Sequence, residues 1–325
     1  FFFPPPPATP DPLWSRGLGD VYKRQGLCKL ILMELWLKVF EVILPVILVV
    51  LTGYLFGRIT KVNLKSINLF IMYISTPCLI FSSLTEGKVT FNDAYTIVLV
   101  GSILVLISIL LSFSLVRATK RDPSVYLNPI VFPNTANLGL PIVLFAFGAR
   151  AFDYAIMFTT VIFFLQCTIG IFIINGATKI KEAFKSPLVY AVILPILLNK
   201  TGIEIDAGVN SSIKLLGTTC IPLMMFSLGH KLSETKILDF REDLIVGALR
   251  IAIGIGLSLL ICKLLKIDNF LAQVMIVQYS MPAAVFNFIL ADRYNQSPEK
   301  VASIVFASTI ISIPVIPIIL YYLMQ

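Results

Sequence analysis

Charge is scarce in this sequence. Only 14% of its 325 residues are Asp, Glu, Lys or Arg, against about 25% in a soluble globular chain. Hydrophobic residues make up 57%, and the mean hydropathy is +0.90. This excludes an ordinary soluble enzyme and points to a chain that crosses a bilayer many times. Histidine is nearly absent: His230 stands alone. The five cysteines form no CxxC pair, and Cys78, Cys167, Cys220 and Cys262 lie singly in apolar runs. With so few ligands a zinc site is excluded, and these cysteines read as small packing residues. The apolar runs do not alternate in short segments, which excludes a membrane β-barrel. No Asp or Glu lies near the middle of any run; Glu41 is close to the outer end of the first and Asp292 ends the ninth. That argues against a cation antiporter built on buried carboxylates. No HExxH, paired Asp or His–Ser–Asp set falls within the runs, so an intramembrane enzyme is not expected. The net charge is +8. Its basic residues sit in short clusters between apolar runs, which is a topology signal and not a nucleic-acid surface.

What the sequence does contain is a series of ten apolar runs after residue 32. Residues 1–32, with Phe1-Phe2-Phe3, four successive prolines and further Pro and Gly, read as a non-native or disordered extension, with Met33 as a start. The runs span 36–56, 64–84, 95–116, 125–147, 151–175, 187–198, 213–228, 244–265, 270–291 and 301–323. The sixth and seventh are short for a membrane of about 20 residues' thickness. The odd-numbered loops carry fourteen Lys and Arg, among them Arg117, Lys120 and Arg121, and the other side carries six. The positive-inside rule then puts the odd loops in the cytoplasm and both termini outside. Lys214 and Arg250 fall within runs and are expected near their ends, reaching to an interface.

The two halves resemble each other. Ser66-Ile67-Asn68-Leu69, Pro77 and Phe81-Ser82 in the second run match Ser212-Ile213-Lys214-Leu215, Pro222 and Phe226-Ser227 in the seventh. Units five runs apart enter the membrane in opposite directions, which predicts an inverted repeat. The first repeat then covers 33–176 and the second 177–325. On this pairing the fourth run corresponds to the ninth, and both are interrupted. The fourth contains Pro129, and Pro133 and Pro141 break it on either side of Asn134, Thr135, Asn137 and Gly139; Pro282 breaks the ninth beside Gln278, Ser280 and Asn287. Each interior proline removes a helix hydrogen bond and clashes with the preceding turn. Paired broken spans are a pointer to a substrate site. Half-helix N-termini attract anions. Asn134, Thr135, Asn137, Ser280 and Asn287 supply neutral donors, and Gly139 open backbone. Such a site suits a small carboxylate. Thr76, Thr219 and Gln278 are candidates for the pathway or an ion.

Pro133-Asn134-Thr135 with Gly139 and Pro141 resembles the first crossover motif of the auxin efflux carrier family. Met281-Pro282-Ala283, the stretch Ala291-Asp292-Arg293-Tyr294-Asn295, Pro314 and Tyr321-Tyr322 resemble its second crossover and last helix. The resemblance covers Met33 to Gln325. It implies an all-α polytopic membrane protein of the bile-acid symporter and NhaA-like fold: ten transmembrane helices in two inverted five-helix repeats, with crossed broken helices. It also implies a scaffold part, an elevator-like displacement, and residence in the cell membrane. Asn134 would hold a substrate carboxylate, and Pro133 and Pro282 would mark the crossing. The family includes plant auxin exporters and bacterial permeases associated with malate and malonate. Where plant carriers resemble Asn-Pro-Asn-Thr-Tyr, this chain has Ser186-Pro187-Leu188-Val189-Tyr190, and its central loop is only Gly176–Ser186. A small dicarboxylate is therefore expected in preference to auxin. No cofactor is expected beyond coupling to protons, sodium or the membrane potential. The partners expected are the carboxylate, the lipid bilayer and a second copy of the chain through the scaffold helices. The alternatives are a sodium-coupled bile-acid-type symporter, with Gln278 and Asn137 near the ion, and a non-transporting membrane sensor.

Overall fold

Backbone inside a bilayer must satisfy its own polar groups, and an apolar chain does so by forming helices. The computed structural model describes residues 37, 39–41, 44–60, 62–86, 90–175, 187–201, 203, 205–235 and 239–324. The extension 1–32, the loop 176–186 and Lys38, Lys61, Lys88 and Lys236 lie outside the described residues. The elements are α1 (Val39–Thr60) and α2 (Lys65–Thr85), α3 (Phe91–Ala118), α4 (Pro123–Val131), α5 (135–147) and α6 (149–175). They continue with α7 (Pro187–Thr201), α8 (Ala207–Glu234), α9 (Phe240–Leu264), α10 (Asn269–Tyr279), α11 (Val285–Arg293) and α12 (Pro298–Leu323).

Seven helices among the described residues are long and apolar enough to cross a membrane. Breaks and one short helix account for the difference from ten runs: α7, at 15 residues, falls short of a full span. The stretch from Thr135 to Asn175 is one of the seven, but Gly148 has φ 79° and ψ −172°, a left-handed backbone that only glycine adopts without strain. It turns the chain between α5 and α6. The fourth and ninth runs are each split into two half-helices. α8 begins at Ala207, six residues before the expected start, because Asp206 caps it and accepts from the N–H groups of Gly208 and Val209. Asp122, Asp239 and Asp268 cap α4, α9 and α10 in the same way. A good part of the sparse acid thus sits where free helix N–H groups need an acceptor.

The helices form two bundles. One comprises α1, α2, α7 and α8; the other comprises α3 to α6 and α9 to α12. Glycines let α1 and α8 touch backbone to backbone. A Cβ on Gly53 would overlap the Phe226 carbonyl, and one on Gly229 would overlap that of Val50. Gly229→Val should therefore lower the stability of the detergent-purified protein by about 1–3 kcal/mol or more, read as an earlier thermal unfolding midpoint. An unchanged midpoint would contradict this packing. Outward faces keep large apolar side chains exposed, among them Leu110, Leu215, Leu264 and Ile313, as a lipid-facing surface requires.

Candidate functional site

α4 stops because Phe132 precedes Pro133. A residue before proline is pushed out of the helical region, and Phe132 is extended at φ −99° and ψ 110°. α10 ends at Tyr279, three residues ahead of Pro282, with Ser280 still in the helical region. The two breaks lie side by side. The Asn134 N–H donates to the Pro282 carbonyl at 2.7 Å and the Ala284 N–H to the Phe132 carbonyl at 3.0 Å. Pro133 and Ala283 form an isolated antiparallel bridge. Two extended segments thus satisfy each other where the helices have given way, as buried backbone demands. The half-helices α5 and α11 start again on the far side of this bridge.

Asn134 is 3% exposed. Its Oδ1 accepts from the Asn137 N–H at 3.2 Å, capping the wide turn Thr135–Gly139 that opens α5. Its Nδ2 has no hydrogen-bond partner. Gln278 is fully buried with both amide atoms unpartnered, and the Ser280 hydroxyl is buried and unpartnered too. Buried polar groups without partners cost about 1–3 kcal/mol each, so three of them within one crossing mark a place made to meet something polar. Gly139 is the contact point between the breaks: a Cβ there would collide with Gln278 Oε1. Ser280 lies on the other side, its Cα close to Gly254 of α9. Thr135 is buried and Asn137 half-buried in the same turn. Pro141 is buried where the wide turn Thr135–Gly139 gives way to regular α-helix at Leu140; the chain stays helical through it, and it does not break α5.

The other expected residues are placed differently. The Asn287 amide is fully engaged: Oδ1 accepts from Gln166 Nε2 at 2.6 Å and Nδ2 donates to the Phe132 carbonyl at 3.3 Å. It clamps α6 to the bridge. Thr76 and Thr219 lie where α2 crosses α8, with Thr76 Oγ1 3.3 Å from Cys220 Sγ and Thr219 Oγ1 2.7 Å from Ser75 Oγ. They belong to the first bundle. The second half of α8 faces the Thr135–Gly139 turn.

Arg250 departs most from expectation. It is not near the end of its helix and does not reach an interface. It is the eleventh of 25 residues in α9, about 15 Å along the axis, and is 0% exposed. Its guanidinium donates to the carbonyls of Ile130 (2.6 Å), Val131 (2.9 Å), Tyr279 and Met281 (3.4 Å). The signal was available: an ionisable residue deep in an apolar run marks a functional position. Gln166 and Tyr279, whose hydroxyl bonds Ser108 Oγ at 2.8 Å, gave no such signal.

A small crevice lies between the bundles on the side of the odd-numbered loops. It is lined by Leu228 and Lys231 of α8, Thr235 just past its end, Val285 and Phe288 of α11, and Val305 of α12. Lys231 Nζ sits 4.0 Å from the centre of the Phe288 ring, bridging the two bundles by a cation–π contact.

Residues 38–183 and 177–320 match the family profile described as membrane transport protein. The chain belongs to this family, that of the auxin efflux carriers. An uncharacterized transporter of Methanocaldococcus jannaschii is 26% identical over 85% of this chain and 96% of its own length. The uncharacterized transporter YfdV of Escherichia coli is 21% identical over 78% of this chain and 87% of its own. Auxin efflux carrier component 1 of Arabidopsis thaliana is 27% identical over 38% of this chain and 20% of its own. This auxin efflux carrier family member is a membrane transporter and not an enzyme.

Proposed function

We propose that this chain is a secondary active transporter of small organic anions, of the size of malate or malonate, in the cell membrane. The observation that carries the reading is the buried, unpartnered Asn134 amide at the start of α5, where helix amides and dipole favour negative charge. Plain carboxylates fit a crossing that presents neutral donors and no acid of its own. α1 to α6 and α7 to α12 correspond in order, each with one helix split in two, which supports ten membrane passages in two inverted repeats. Helix α2 meets α8 through residue pairs 144 positions apart, close to the spacing that matches Pro77 with Pro222, as expected beside a pseudo-two-fold axis. The odd loops face the cytoplasm and both termini lie outside. A second copy joins through the α1, α2, α7 and α8 bundle.

Transport proceeds by displacement of the crossing bundle against the other. A cross-link between the bundles then stops it. With the native cysteines replaced, Lys231→Cys and Phe288→Cys joined by a short bifunctional thiol reagent should abolish uptake into proteoliposomes, and a cleavable reagent should allow recovery. Full uptake by the cross-linked protein would exclude relative motion of the bundles. The substrate class is tested by competition. Malate, malonate and similar acids should inhibit uptake of one another and raise the unfolding midpoint, whereas an indole acid should do neither. Inhibition by the indole acid alone would point back to auxin.

A further inference from the structure

Arg250 is a fixed cation without a fixed anion. A guanidinium keeps its charge at any ordinary pH, and a charge buried this deeply must be compensated. All its hydrogen bonds go to backbone carbonyls, and the Tyr279 ring centre lies 4.8 Å from its Cζ. Among the described residues no carboxylate is within ion-pair distance of it. The four carbonyls belong to the last residues of α4 and α10 or to the segment just past them. These are the negative ends of two half-helix dipoles, whose final carbonyls have no partner within their own helix. The other two helix ends at the crossing are the N-termini of α5 and α11, and they are positive. The crossing is thus sorted by sign: the carbonyl ends face Arg250, and the amide ends remain with Asn134.

Unwound carbonyls and half-helix C-termini in broken-helix transporters commonly coordinate a coupling cation. Here a side chain fills that role. We propose that Arg250 is the built-in cation of this crossing: it takes the place of a coupling sodium ion and leaves the positive helix ends to select an anion. The proposal rests on the anion-transport reading and extends it to the coupling. Malate and malonate carry two negative charges near neutral pH, so Arg250 offsets one of them: the loaded bundle moves with one negative charge and the empty one returns carrying a positive charge.

The test compares labelled malate uptake by proteoliposomes in sodium and in choline media. Wild-type uptake should agree within about twofold in the two. Arg250→Ala should lose about tenfold or more, the effect of 1.4 kcal/mol, and should recover with millimolar guanidinium chloride. Asn134→Ala should not recover with it, which separates the cation position from the anion position. Wild-type uptake that requires sodium would overturn the proposal while leaving the transport reading intact. If the wild type moves no carboxylate, the transport reading fails instead. Binding of radiolabelled sodium to the purified wild type then decides: no saturable binding is expected, and saturable binding would sink the proposal. That measurement also stands if Arg250→Ala does not fold.

Discussion

Asn134→Asp should abolish uptake in folded protein, and Asn134→Ala should reduce it about 10- to 100-fold. The two ends of the side chain have different tasks. Oδ1 caps the turn that opens α5 through the Asn137 N–H, and Nδ2 is the unpartnered donor. Aspartate keeps an acceptor for the cap, so the helix still starts where it does. It replaces the donor with a negative charge, which repels a carboxylate. Alanine removes both ends. Losing the cap costs about 0.5–2 kcal/mol of stability. Losing a hydrogen bond to a charged ligand costs about 1.5–3 kcal/mol of binding, with each 1.4 kcal/mol worth a factor of ten. Unfolding midpoints therefore separate the variants in one order and uptake in another. The aspartate protein should melt close to wild type while transporting least. If both variants lose stability and uptake in proportion, Asn134 is a structural cap and no ligand.

Removing Asp243 should have the largest effect on stability. This carboxylate lies in the first turn of α9 and is 0% exposed. Lys300 Nζ of α12 is 2.7 Å from its Oδ1, and the Ser303 hydroxyl donates to Oδ2. Lys300 also meets Glu242, which pairs with Arg121 Nε at 2.7 Å and accepts from the Tyr126 hydroxyl at 3.0 Å. One cluster thus ties the first turns of α4, α9 and α12 on the side of the odd loops. Breaking a buried pair from one side strands its partner and costs about 3–5 kcal/mol. Asp243→Asn should lower the yield of folded protein and its unfolding midpoint. Lys300→Met should do the same, and the double variant should recover part of the loss, because no unpaired charge is left. Strictly additive losses would mean that the pair is not coupled.

These two sites differ in how far they could be read from the chain. The breaks at Pro133 and Pro282 were legible, because a proline acts on its own backbone and on the residue before it whatever the surroundings. The turn at Gly148 was not: a lone glycine between two apolar runs carries no signal until its φ is known. Asn134 was legible from its place beside a break. Asn287 looked equivalent, yet its amide is consumed by Gln166 and Phe132, which are 121 and 155 positions away. Asp243 and Arg250 show the same limit from opposite sides. Position along a run put Asp243 outside the apolar stretch and Arg250 near its edge. The fold buries both, since their partners come from α12 for one and from the ends of α4 and α10 for the other. Local chemistry is written in local sequence; which groups meet across the bundle is decided by the packing.

The crossing of α4, α5, α10 and α11 is proposed to hold a carboxylate and carry it across the bilayer. The most direct measurement of this is uptake of labelled malate by proteoliposomes holding equal amounts of folded wild type and Asn134→Asp. Saturable uptake by the wild type and none above empty liposomes for the variant is the predicted result. Equal saturable uptake by both would place the substrate elsewhere in the protein and contradict the account.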